Sequence, residues 1–135
     1  MLEVECYCTL ARRSARALTE FYDSALSPSG LKVTQFSLLR AIERLRQPSL
    51  TELAEATGLD RSTLGRNLRV LEKSGFVTLG PVRDERSRIA ELTPQAERAL
   101  ETASTLWAEA QAKVEIAVPA EIKLHLRTLT EAARN

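Results

Sequence analysis

The stretch TGLDRSTLGRNLRVLEK, residues 57–73, decides the fold. Leu64, Leu68 and Leu71 recur at steps of four and three, the spacing of one helix face. At about 100° per residue, Ser62, Arg66, Arg69 and Lys73 fall on the opposite face. Every side chain across from the leucines is therefore a hydrogen-bond donor. Asp60 stands where an N-cap belongs, with a charge that suits the positive helix end. Ser74-Gly75 stops the helix, the glycine being available as a left-handed cap. Gly65 sits in the middle, where glycine costs a helix about 1 kcal/mol relative to alanine. It lies beside Ser62 and Arg66 and leaves space on that flank.

The neighbouring segments extend this helix into a motif. Ser49-Leu50-Thr51-Glu52 has the pattern of a capping box: the serine oxygen accepts from the Glu52 N–H, and the carboxylate accepts from the Ser49 N–H. A short helix runs from there to about Ala56. Gly58 suits a tight turn, and Ala54, Gly58 and Leu64 fall at the small, turn and apolar positions of a helix-turn-helix. Downstream the period changes. Phe76–Leu79 and Arg88–Leu92 are strand-like runs joined by GPVRDERS, residues 80–87, which predicts a hairpin with a basic tip.

Further outward, Cys8, Ala11, Ala15, Leu18, Tyr22 and Ala25 form one stripe of a helix over residues 8–26, ended by Ser27-Pro28-Ser29-Gly30. A second helix follows Thr34, with Phe36, Leu39, Ile42 and Leu45 as its stripe, and Gln47-Pro48 closes it. Thr93-Pro94, an N-cap followed by proline, opens a long helix to residue 118. A last helix over residues 120–133 carries Ile122, Leu126, Leu129 and Ala133. The expected fold is mainly α with a small β-hairpin wing, in one domain. A winged helix-turn-helix lobe over residues 34–92 lies between dimerisation helices at 1–33 and 93–135. The terminal helices carry apolar stripes that a small lobe cannot cover, so a homodimer is expected.

Net charge is only +1, but residues 61–88 hold seven basic groups against three acidic ones. Such segregation is expected where a compact patch meets a polyanion. An ordinary solvated helix face is the bland alternative; the missing carboxylates and the adjoining hairpin favour double-stranded DNA. Ser62, near the helix N-terminus, would meet base edges, and Arg66 would fork onto guanine O6 and N7. Arg69 and Lys73 are better placed for phosphate, and Thr63 and Asn67 lie on the flank. On the hairpin, Arg83, Arg86 and Arg88 would approach the minor groove or its phosphates, with Asp84 holding an arginine in place.

Other functions find little support. There is no nucleophile–base pattern, no glycine-rich phosphate loop and one histidine, His125, so no enzyme, cofactor or metal site is expected. No apolar run nears 18 residues and no signal-peptide core follows Met1, which predicts a soluble, cytoplasmic protein without a membrane partner. The rival to an operator reader is a non-specific DNA-architectural or protein-interaction winged helix.

The run LTELAEATGLDRSTLGRNLRVLEKSGFVTLGPVRDERSRIAELT, residues 50–93, resembles the winged helix-turn-helix of the MarR family of bacterial transcription regulators. DRSTLGRNLRVLEKSG and the wing's Asp84-Glu85-Arg86 carry most of the likeness, and the flanking helices share it. The resemblance implies an obligate homodimer on a pseudo-palindromic operator, usually repressing. It also implies an effector that loosens DNA binding, a small aromatic ligand or an oxidant. Ala96 stands where the family often has glycine, and alanine favours helix there.

Cys6 and Cys8 point about 160° apart if both are helical, with Cys8 on the apolar stripe. Three readings stay open: Cys8 as a small buried hydrophobe, Cys8 as an oxidant sensor resolved by Cys6 or across a dimer, and metal chelation. Matching RALTEFY, residues 16–22, to the family's organic-hydroperoxide sensors places Cys8 at their reactive position. Val33 and Phe36 then stand where those sensors have tyrosines that hydrogen-bond the sulfur.

Overall fold

The computed structural model describes residues 5–81 and 88–135. Helix α1 spans Tyr7–Leu26 and passes through a 3-10 turn, Ser27–Ser29, into α2, Val33–Leu45. Helices α3, Leu50–Thr57, and α4, Arg61–Lys73, follow, then strands β1, Val77–Leu79, and β2, Ala90–Leu92. Helices α5, Pro94–Ala117, and α6, Ile122–Arg134, complete the chain.

The local signals act largely as their chemistry requires. Ser49 Oγ accepts from Glu52 N at 3.1 Å, and Glu52 Oε1 accepts from Ser49 N at 3.2 Å, closing the box that starts α3. Gly58 ends α3 at φ +72°, a left-handed conformation that costs glycine nothing, and its N–H donates to Ala54 O at 2.9 Å. Thr93 Oγ1 accepts from Ala96 N at 3.2 Å to start α5, and donates to Gly75 O at 2.6 Å. The start of α5 is thereby tied to the turn that ends α4. Ala96 is fully buried there.

Helix α2 departs from expectation at both ends. It begins at Val33 because its N-terminus is capped from another helix: Val33 N donates to Asp23 Oδ1 of α1 at 2.8 Å, and Lys32 N donates to Gln35 Oε1 at 3.0 Å. It stops at Leu45 because Arg46 and Gln47 both take φ +53°. Left-handed residues other than glycine cost roughly 1–3 kcal/mol each, so the surrounding packing must hold this turn.

The strands are shorter than the sequence suggests, with Val77 opposite Leu92 and Leu79 opposite Ala90 in an antiparallel pair. A further segment joins them. Ser49 bridges Ile89, Ala90 N donates to Pro48 O at 3.0 Å, and Leu50 N donates to Arg88 O at 3.0 Å. The residues that cap α3 thus also form the sheet's other edge.

One apolar cluster joins these parts. Leu64, Leu68 and Leu71 pack with Phe36, Leu39 and Ile42 of α2, Leu53 of α3, Val77 and Ala90 of the sheet, and Leu100 and Ala103 of α5. Arg40 lies over the Phe36 ring at 5.5 Å and donates to Ser104 Oγ at 3.1 Å, a second link to α5. The outer helices are different. Tyr22 of α1 donates its hydroxyl to the Gln111 side-chain oxygen of α5, and burial pushes the Tyr22 pKa up. Residues 7–21 of α1 and all of α6 are exposed.

Candidate nucleic-acid interface

The interface is built on α4, whose leucines fix its rotation. With Leu64, Leu68 and Leu71 buried, Ser62, Arg66, Arg69 and Lys73 are brought together on the exposed side, as the spacing predicts. Asp60 caps the helix: its Oδ1 accepts from Thr63 N and from Ser62 Oγ, each at 2.8 Å. The Thr63 N–H foremost, then the Ser62 hydroxyl, hold the Asp60 carboxyl below its usual range. Since the Ser62 hydrogen is engaged by this carboxylate, its exposed oxygen is left as an acceptor. Arg66 Nη2 lies 3.4 Å from Thr63 Oγ1, a long bond that steadies the guanidinium over the first turn.

Among the described residues the ion pairs are Arg40–Glu43 and Lys123–Glu115, neither of them on α4. Among the described residues the cations of α4 thus form no close ion pair, Asp60 at the helix start being the carboxylate that acts on Arg66. Beside them lies a hollow of about 380 Å³ between the start of α3 and α4, lined by Leu50 and Thr51 of α3 and by Ser62, Leu64, Gly65 and the cations Arg61, Arg66 and Arg69 of α4. Leu50 and Thr51 were absent from the candidate residues, although the capping box that places α3 was the signal for them.

Other predicted residues stand apart. Asn67 is half-buried and, with Thr34 and Leu38, lines the seam between α4 and α2. Arg88 donates through Nε to Gly80 O at 2.8 Å, bracing the base of the hairpin from one side to the other. Arg83, Asp84 and Arg86 lie outside the described residues.

Cys6 and Cys8 are both free thiols, exposed within the chain. Cys6 is the N-cap residue of α1 with an extended backbone, so the two are not consecutive members of one helix face. Cys6 makes no capping hydrogen bond, yet the Thr9 N–H first, then the Thr9 hydroxyl and the Cys8 N–H, favour its thiolate and hold its pKa below the ordinary thiol value. Among the described residues, no three His, Cys, Asp or Glu side chains are grouped to hold a metal ion, and no helix is long and apolar enough to cross a membrane.

A capped helix, a glycine turn, a second helix with an exposed basic face and an antiparallel hairpin make this a winged helix-turn-helix DNA-binding protein. The MarR family profile matches residues 29–87. The M. tuberculosis regulator MosR, solved in complex with DNA, is 39% identical with a TM-score of 0.87, covering 96% of this chain and 97% of that one. The chain belongs to the MarR family of transcription regulators. S. aureus MepR, solved with DNA, shares the fold at 18% identity and a TM-score of 0.80, covering 96% of this chain and 99% of that one. The HTH-type transcriptional regulator YwoH of Bacillus subtilis is 27% identical over 89 residues, 66% of this chain and 65% of that protein's length.

Proposed function

We propose that the chain acts as a homodimer that reads a pseudo-palindromic operator, represses transcription there, and lets go when a small aromatic ligand or an oxidant reaches it. The observation that carries this reading is the exposed donor face of α4, held outward by its buried leucines. Residues 34–92 serve as the reading lobe, and the segments before and after it supply the dimer contacts. A twofold partner would set two copies of α4 about one DNA turn, ~34 Å, apart. Ser62 and Arg66 meet bases; Arg69 and Lys73 meet phosphates; Thr63 orients Arg66. In this proposal Arg83, Arg86 and Arg88 approach the minor groove or its phosphates, with Asp84 holding an arginine in place, and Arg88 also fixes the hairpin base. The MosR complex with DNA supports this reading, under which the protein acts in the cytoplasm.

Selection of bound duplexes from randomised DNA tests it. Arg66→Ala should relax the preference at one position per half-site and weaken binding by ~1–3 kcal/mol. A uniform loss across all sequences would instead indicate the non-specific architectural alternative.

Among the effectors, an oxidant has two candidate thiols, Cys6 and Cys8, in the segment before the reading lobe. A hydroperoxide would convert one thiolate to a sulfenic acid and leave as the alcohol; condensation with a second thiol would then form a disulfide and release water. Cys8 is the sensor suggested by the resemblance and Cys6 its resolving partner, although the acidity of Cys6 also suits it to react first. Operator binding after peroxide treatment of wild type, Cys8→Ser and Cys6→Ser decides the matter. Equal responses from all three would remove the thiols from sensing.

A further inference from the structure

Gly65 is a residue of α4 for which the chain itself supplies no reason. Its backbone is not left-handed, and a Cβ built on it meets no atom within 4 Å. Neither turn geometry nor internal packing selects glycine at a position where it weakens a helix. Gly65 instead lines the hollow between α3 and α4, together with the carbon of Leu50 and Leu64 and the cations Arg61, Arg66 and Arg69.

That combination is chemically selective. A phosphate would lose solvation against the leucine carbon, so the arginines suit the strand backbone and the leucines suit something apolar. The major groove offers one apolar group, the C5-methyl of thymine, among donors and acceptors that are otherwise polar. We infer that the Gly65 hollow receives the methyl-bearing edge of a thymine, making Gly65 a specificity-determining residue that selects T·A at one position per half-site. The inference rests on the operator-reading function proposed above. A side chain at position 65 occupies the hollow and holds α4 away from that base pair.

The test begins with wild-type protein and duplexes selected from randomised DNA. Each thymine in the selected site is then replaced by deoxyuridine, which removes the methyl and nothing else. One thymine per half-site should prove sensitive, wild-type affinity falling about fourfold for each, the change expected for one buried methyl group. Gly65→Leu should bind the selected site at least about tenfold more weakly and no longer distinguish thymine from deoxyuridine. Its thermal unfolding midpoint should not fall, because leucine favours helix and meets free space. Gly65→Ala, a smaller and helix-favouring change, should show a reduced methyl dependence with a raised midpoint.

Indifference to deoxyuridine at every selected thymine overturns the inference, as does wild-type-like binding by Gly65→Leu, while operator reading survives both. Failure of wild type to enrich any sequence removes operator reading, and the inference with it.

Discussion

Leu64, Leu68 and Leu71 on α4 and Ile122, Leu126 and Leu129 on α6 repeat the same four-then-three spacing. The α4 residues are at most 1% exposed, whereas those of α6 are 36%, 49% and 38% exposed. Leu18 on α1, at 40%, sides with α6. Periodicity therefore says which face of a helix seeks burial, but not whether the covering surface belongs to the same chain. For α4 it does, through α2, α3 and the sheet. For α1 and α6 a second subunit is the surface that fits the proposed homodimer.

The strongest way to break this contrast is to charge the uncovered face. Leu126→Asp combined with Leu129→Asp should give a monomer in sedimentation while the lobe stays folded. Operator affinity should then drop by about 10²–10⁴-fold as two linked contacts become one. A variant that stays dimeric would mean that α6 is solvent-facing by design. The converse change is Leu68→Ala in the closed core, which should lower stability by about 2–5 kcal/mol in denaturant unfolding. Little loss there would mean that the lobe also depends on a partner.

Smaller effects sharpen the picture inside the lobe. Ser49→Ala removes an N-cap acceptor and should cost about 1 kcal/mol, with faster hydrogen exchange at the Glu52 amide. Asp60 should give the smallest effect, visible through its pH dependence. Its folded pKa is depressed, so the carboxylate's contribution is present above the ordinary value of 3.8 and is lost as pH falls through the lower folded value. Asp60→Asn should flatten that acid limb of the melting-temperature profile.

The same division explains what could be read from residue order. The Ser49 box, the Gly58 turn, the Asp60 cap and the Thr93-Pro94 start are local, since each partner lies within a few residues. Asp23 capping α2 from α1, and Ser49 pairing with Ile89, join segments 10 and 40 residues apart, for which no local spacing exists. The left-handed Arg46 and Gln47 carry no glycine to announce them. At the site, the donor face followed from period alone. The hollow beside Gly65 did not, because its other wall comes from Leu50 and Thr51 on a different helix.

The backbone bonds from Pro48 and Leu50 to Ala90 and Arg88 have a mechanical consequence. They make the first turn of α3 and the base of the wing a single stiff piece, so the wing base cannot swing without pulling at the Ser49 cap. The offset between the start of α3 and the root of the wing is therefore preset. Little ordering entropy remains to be lost on contact within this piece. Under the proposed operator reading, a site whose grooves lie at the wrong phase would have to be bent or overtwisted to fit this preset piece.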